Sequence, residues 1–154
     1  MAVKDITTSA TTTLWISETI PTAYTEAGFK AINDWIQITE LSNGGSSVGG
    51  TTTVTNHIDV STGKVVKRGG SQNFGQLALT MARHKGGDID ALREAFSDRQ
   101  PRSFKIVYPT VLNEQEFCTG IVVSVPTNIG TADQILDQMV TIEIDDELLV
   151  AEVV

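Results

Sequence analysis

The sequence predicts a mainly β fold with a single helix, and three observations carry that expectation. Seven segments alternate apolar and polar side chains with the two-residue period of a half-buried strand. Val, Ile and Thr, which suit a pleated surface, are abundant. Only one stretch, 88–98, carries a helical period.

The elements follow in order. "TTTLWISE" (11–18) is a first short strand. "DWIQITELS" (34–42) places Ile36 and Ile38 on one face, with Trp35, Gln37, Thr39 and Leu41 on the other. "TTTVTNHIDV" (51–60) alternates less cleanly. "NFGQLALTMAR" puts Leu77, Leu79 and Met81 together, and "RSFKIVY" does the same for Phe104, Ile106 and Tyr108. "EFCTGIVVSV" groups Phe117, Ile121, Val123 and Val125. "QMVTIEID" turns Val140, Ile142 and Ile144 to a core and Thr141, Glu143 and Asp145 to water.

The helix is expected to start at Asp88 as N-cap, to bury Ile89, Leu92 and Phe96, and to end before Pro101. Two connections stand out: the polar, glycine-rich "SNGGSSVGG" (42–50) and the turn-rich "STGKVVKRGG" (61–70).

Composition limits the chemistry. A chain of 154 residues can bury a real core. It holds no apolar run of the ~18 residues that span a bilayer, and the N-terminus lacks the apolar segment of a secretory signal. The single Cys118 is expected to be a buried, inert thiol, since no second cysteine exists for a disulfide or thiolate metal site.

The net charge of −8 is uneven. Residues 1–105 hold 11 basic and 10 acidic side chains, whereas 106–154 hold nine acids and no Lys or Arg. Such a surface repels phosphates.

The Gly-Gly pairs at 69–70 and 86–87 match neither phosphate-binding glycine motif, and Asp88 and Asp90 would repel a phosphate at that helix start. The first pair is read as ending a flexible turn, the second as the strand-to-helix corner. His57 and His84 lack metal-ligand spacing. No catalytic constellation emerges, and neither metal nor cofactor is expected.

The order of parts carries more. It runs strand, glycine-rich loop, strand, "GGSQNFGQLALTMARHKGGDIDALREAF", "RSFKIVYP", "FCTGIVVSV" and a last "VTIEID" strand. With Asp59 before a turn and the turn at Gly130, Thr131, Ala132 and Asp133, this resembles the tail tube (major tail) proteins of long, flexible-tailed bacteriophages over roughly residues 30–146.

The resemblance implies one β-sandwich or barrel-like tail-tube domain over 1–154, with one flanking helix (88–98), an N-terminal arm (1–12), a long loop (42–53) and a C-terminal arm (147–154). It implies a structural virion protein rather than an enzyme, assembled in the host cytoplasm into hexameric rings that stack as the tail tube. DNA would pass without specific binding, and tape-measure, tail-tip and tail-terminator proteins would be partners, with no membrane. The lumen-lining candidates are then Glu143 and Asp145, followed by Glu114, Glu116, Asp133 and Asp137. Ring stacking would fall to Ser42, Asn43, Gly44, Gly45, Ser46, Ser47, Val48, Gly49 and Gly50, and inter-subunit charge contacts to Arg83 and Lys85. Alternatives are the tube subunit of a contractile tail, pyocin or type VI secretion system, and a glycan- or cell-binding β-sandwich module of a tail tip.

Overall fold

The computed structural model describes residues 6–44 and 47–153. In chain order the elements are β1 (Thr13–Ser17), α1 (Glu26–Lys30), β2 (Ile36–Ile38), β3 (Leu41–Asn43), β4 (Thr51–Ile58), β5 (Val65–Asn73), β6 (Gln76–Ala82), α2 (Gly87–Asp98), β7 (Arg102–Val107), β8 (Glu114–Ser124), β9 (Thr127–Asn128), β10 (Asp137–Ile144) and β11 (Leu149–Glu152). The expectation of a mainly β, barrel-like chain holds.

The main sheet runs β2-β1-β7-β8-β10-β6-β3, with β11 on β8 and β9 on β10. Its two end strands, β2 and β3, are neighbours in sequence, joined by Thr39 and Glu40 alone. Two residues span only about 7 Å, so the sheet must curl until its ends nearly meet. Closure of this kind removes most of the exposed edge. Glu40 turns the corner at φ 57, and Ala82 N donates to Glu40 O at 2.9 Å.

That corner corrects the reading of 34–42 as one strand. Thr39 and Glu40 are polar in succession and put Leu41 out of phase with Ile38, but a slip of phase does not by itself reveal a left-handed corner; that residue is held there by the closing of the barrel.

The core is the inward face of the barrel plus one face of α2: Leu14, Ile16, Ile38, Leu77, Leu79, Met81, Phe104, Val140 and Ile142 join Ile89, Leu92 and Ala95. The inward sets read for β6 and β10 are as expected. Fully burying such side chains stabilises by roughly 1.5–3 kcal/mol each.

On α2 the expectation needs correcting. The N-cap is Gly86, not Asp88, and Ala95 rather than Phe96 is buried; Phe96 is 46% exposed. A Cβ at residue 86 would lie 2.7 Å from Asp88 Oδ1, so the glycine makes room for that carboxylate to turn inward. The helix ends as expected before Pro101, with Arg99 left-handed at φ 60.

A second, smaller core lies outside the barrel. The segment between β1 and β2 folds over the outer sheet face, where Phe29 of α1, Ile32, Phe117 and Ala151 are buried with Tyr24, Trp35 and Leu149 against them. Phe117 therefore does not share a face with the main-core side chains of β8, which are Cys118 and Val122; Val123 is 43% exposed. Both faces of β8 are covered along its first half, and that erases the alternation. The short α1 was not foreseen. Its only local marks are Thr25, whose hydroxyl accepts from Gly28 N at 3.2 Å, and the Lys30–Glu26 pair at 2.6 Å.

Mid-sheet, Gly120 of β8 is packed too closely for any side chain. A Cβ there would sit 2.7 Å from Glu143 O and 2.9 Å from Ile142 Cγ2. Gly120→Ala is expected to destabilise by about 1–3 kcal/mol, read as a lower urea midpoint at unchanged slope. An unchanged midpoint would contradict this packing.

Candidate functional site

Three surfaces stand out once the core is accounted for. The first is the β4–β5 hairpin. It forms its own two-stranded sheet, and every side chain of β4 is exposed. Its turn is closed by Asp59 N donating to Lys64 O at 2.9 Å and Gly63 N to Asp59 O at 2.7 Å, while Asp59 Oδ1 accepts from Ser61 N and Oγ. Residues Gly69 and Gly70 lie inside β5, correcting the flexible turn expected there. The strand runs through them because β4 pairs across a bulge between Thr52 and Val54. Gly86 and Gly87 do form the strand-to-helix corner.

The second surface is the outer face of β6 and β10, left bare by the segment that covers β7 and the start of β8. Asp137, Met139, Thr141 and Glu143 alternate with the buried Gln138, Val140, Ile142 and Ile144. Asp145 follows just past the strand, its N donating to Thr119 O at 3.1 Å and its carboxylate accepting from the Thr119 hydroxyl.

The six acidic candidates thus separate. Asp137, Glu143 and Asp145 belong to this face, and Asp133 lies in the exposed β9–β10 connection. Glu114 and Glu116 sit on the first half of β8, flanked by β11; Glu116 lies beside Tyr108, whose hydroxyl is pushed up by burial and then by that carboxylate.

The third is the barrel mouth beside the 42–50 segment. Ser42 and Asn43 belong to β3; Gly44, Ser47, Val48, Gly49 and Gly50 lead to β4; Gly45 and Ser46 lie outside the described residues, as does 1–5 of the N-terminal arm. A cavity of about 550 Å³ opens between this segment and Thr7–Ser9, floored by Leu14, Leu41 and Ile106. The C-terminal segment read as an arm runs along β8, with Leu149 opposite Phe117 and Glu152 opposite Glu114.

The charged groups show how little of the acidic third is neutralised at home. Among the described residues the ion pairs are Lys30–Glu26, His84–Asp88 and Arg102–Asp98, all four residues apart and all within 1–105. Arg83 instead donates to Thr127 Oγ1 at 2.6 Å, and Lys85 is exposed. Lys105 is held without a carboxylate, its ammonium 4.7 Å from the Trp15 ring and 4.8 Å from the Trp35 ring; burial pulls its pKa down.

Sequence reasoning missed Asp88 as a structural hub. Only 3% exposed, it accepts from Thr39 N at 2.9 Å and Thr39 Oγ1 at 3.0 Å, and both its oxygens lie 3.0 Å from His84 Nε2. It ties the start of α2 to the corner that closes the barrel. Cys118 is 1% exposed, and burial, with Glu116 and Asp145 adding to it, pushes its thiol up to about 12. Such a thiol is inert at neutral pH.

No protein-family model and no curated protein matches the sequence. The fold does have close counterparts. It is similar to a chain of the anti-feeding prophage baseplate, with TM-score 0.70 and 12% identity over 99% of both chains. It is similar to a chain in the sheath/tube terminator of the PVC extracellular contractile injection system, with TM-score 0.70 and 12% identity over 97% of this chain and 99% of that one. A third likeness is to the SPP1 tail tube, with TM-score 0.63 and 14% identity over 92% of this chain and 76% of that one. At these identities the likeness is one of fold.

Proposed function

We propose that this chain is a structural subunit of a phage tail or tail-like injection particle, forming hexameric rings that stack into a tube. The observation that carries this reading is the whole-length likeness to parts of such particles, which takes in nearly all of both chains in two cases. The β4–β5 hairpin supports it. A lone two-stranded hairpin is marginally stable in water, and one exposed at every position but Val66 is suited to being covered by another subunit.

In this reading the outer face of β10 borders the bore, with Glu143, Asp145 and Asp137 towards passing DNA. Carboxylates there offer no counterion-releasing contact to phosphates, so the polymer slides. Glu114 and Glu116, on another part of the sheet, are assigned to subunit contacts instead. Tape-measure, tail-tip and terminator proteins are the further partners this role requires.

A second reading is favoured by one observation: the baseplate and sheath/tube-terminator chains are covered over 99% of their length, the SPP1 tail tube chain over 76%. It makes the chain a tube or tube-end component of a contractile particle.

Negative-stain microscopy of the purified protein over a concentration series tests the proposal. Rings or tubes with a central hole are expected. A monodisperse monomer at every concentration would overturn it, and a tube map with Glu143 and Asp145 on the outer wall would overturn the bore assignment.

A further inference from the structure

The hairpin is amphipathic and, among the described residues, pairs with no other strand. The register sets Ile58 opposite Val65 and Val54 opposite Gly69, so Val54, Ile58 and Val65 share one face, each more than half exposed. Around them stand Lys64, Lys67 and Arg68, and the sole carboxylate of the hairpin, Asp59, is engaged by Ser61. Apolar surface and three cations are thus left open on an element about 25 Å long at 3.3 Å per residue.

One place on the chain has the opposite character. Strand β11 pairs only with β8 among the described residues, leaving its other edge of peptide groups without a strand. Val150 on it is 58% exposed. Glu152 stands directly across from Glu114, and Glu26 of α1 lines the same groove, in which the one cation, Lys30, is already bound to Glu26. Like charges directly across a strand pair are destabilising, and a cationic partner would relieve this.

Resting on the assembly reading above, we infer that the β4–β5 hairpin of one copy docks along the β11 edge of the next, setting Lys64, Lys67 and Arg68 against Glu26, Glu114 and Glu152. The occupant must be extended, to use the open peptide edge; apolar on one face, to cover Val150; and cationic. The hairpin of a second copy meets all three requirements. Hairpin and groove are different patches, so the contact is heterologous and propagates into a ring or filament instead of ending at a dimer.

Charge reversal tests this directly. Lys64→Glu/Lys67→Glu/Arg68→Glu is expected to raise the protein concentration needed for assembly by roughly tenfold or more, and Glu26→Lys/Glu114→Lys/Glu152→Lys to do the same. Combining all six substitutions in one chain is expected to restore assembly, with thermal melts confirming that each variant folds. Val65→Cys with Val150→Cys gives a second readout: oxidation is expected to produce a ladder of cross-linked multimers, which the buried Cys118 does not disturb. If wild-type protein forms rings and both reversed variants do so equally well, the docking is wrong and the assembly reading stands. Failure of the sixfold variant to recover overturns the pairing likewise. A wild-type monomer at all concentrations overturns the assembly reading, and the docking with it.

Discussion

Asp88→Ala should be among the most damaging single substitutions in this protein, lowering stability by about 3 kcal/mol. The carboxylate is buried and accepts from two donors of Thr39 and from His84. Removing it empties a buried site and breaks the hydrogen bonds that join the start of α2 to the barrel corner, and a bond to a charged group contributes about 1.5–3 kcal/mol. For a chain of this size that corresponds to a fall in Tm of roughly 10 °C. Thermal melts check it, and a Tm within a degree of wild type would show that the barrel corner does not depend on Asp88.

The same cluster gives a pH dependence with a definite sign. His84 Nδ1 lies 2.9 Å from Ala82 O and its Nε2 faces the Asp88 carboxylate, so both nitrogens are best placed as donors. The bond to Ala82, and after it Asp88, lift His84 above its ordinary value against the opposing pull of burial. A group whose folded pKa is raised stabilises fully below its unfolded value, near ~6.5, and loses that contribution as pH rises through the folded value. Asp88 runs the other way. Burial pushes its carboxyl up, but hydrogen bonds from Thr39 and His84 outweigh this and hold it low, so its contribution is lost only as pH falls below the usual carboxylate range. The wild type should therefore lose stability as pH rises from just above 6.5, and His84→Gln should flatten that slope.

Phe117→Ala is expected to cost about 4 kcal/mol, in the range for emptying a buried phenylalanine site. Phe117 is 1% exposed, stacks on Phe29 with ring centroids 5.2 Å apart, and touches Trp35 at 6.2 Å. It is the largest sheet side chain in the cluster that holds α1 and the β1–β2 segment on the outer sheet face. The chain has only two tryptophans, Trp15 and Trp35, and both flank Lys105 beside this cluster. Intrinsic fluorescence therefore reports on it specifically. A red-shifted emission is expected together with the lower Tm; a lowered Tm with unchanged emission would place the damage in β8 and leave the outer cover intact.

Much of the barrel was legible because its inward faces obey simple alternation. Leu77, Leu79 and Met81, then Val140, Ile142 and Ile144, are inward as their spacing predicts. Where one face meets water and the other a core, period two is a direct record of environment. β8 broke the pattern because α1 covers its outer face, and Phe96 broke it because the helix turns Ala95 inward instead. The candidate surfaces were legible only as charge. The sequence displays an acidic third without cations, but strand pairing decides that Glu143 lies on an uncovered sheet face while Glu114 faces Glu152.

The sequence by itself determined the strand-rich class, the position of the long helix and the charge asymmetry, since each is written in local spacing or in composition. Tertiary structure alone decided three things: the break at Glu40 that closes the barrel, the inward turn of Asp88 that fastens it, and the exposure of the β4–β5 hairpin. All three depend on partners distant along the chain. Thr39 is 49 residues from Asp88, and a hairpin counts as uncovered only once the rest of the sheet has formed without it. Local propensity has no access to such distances, because the free energy that selects these conformations comes from closing the barrel as a whole.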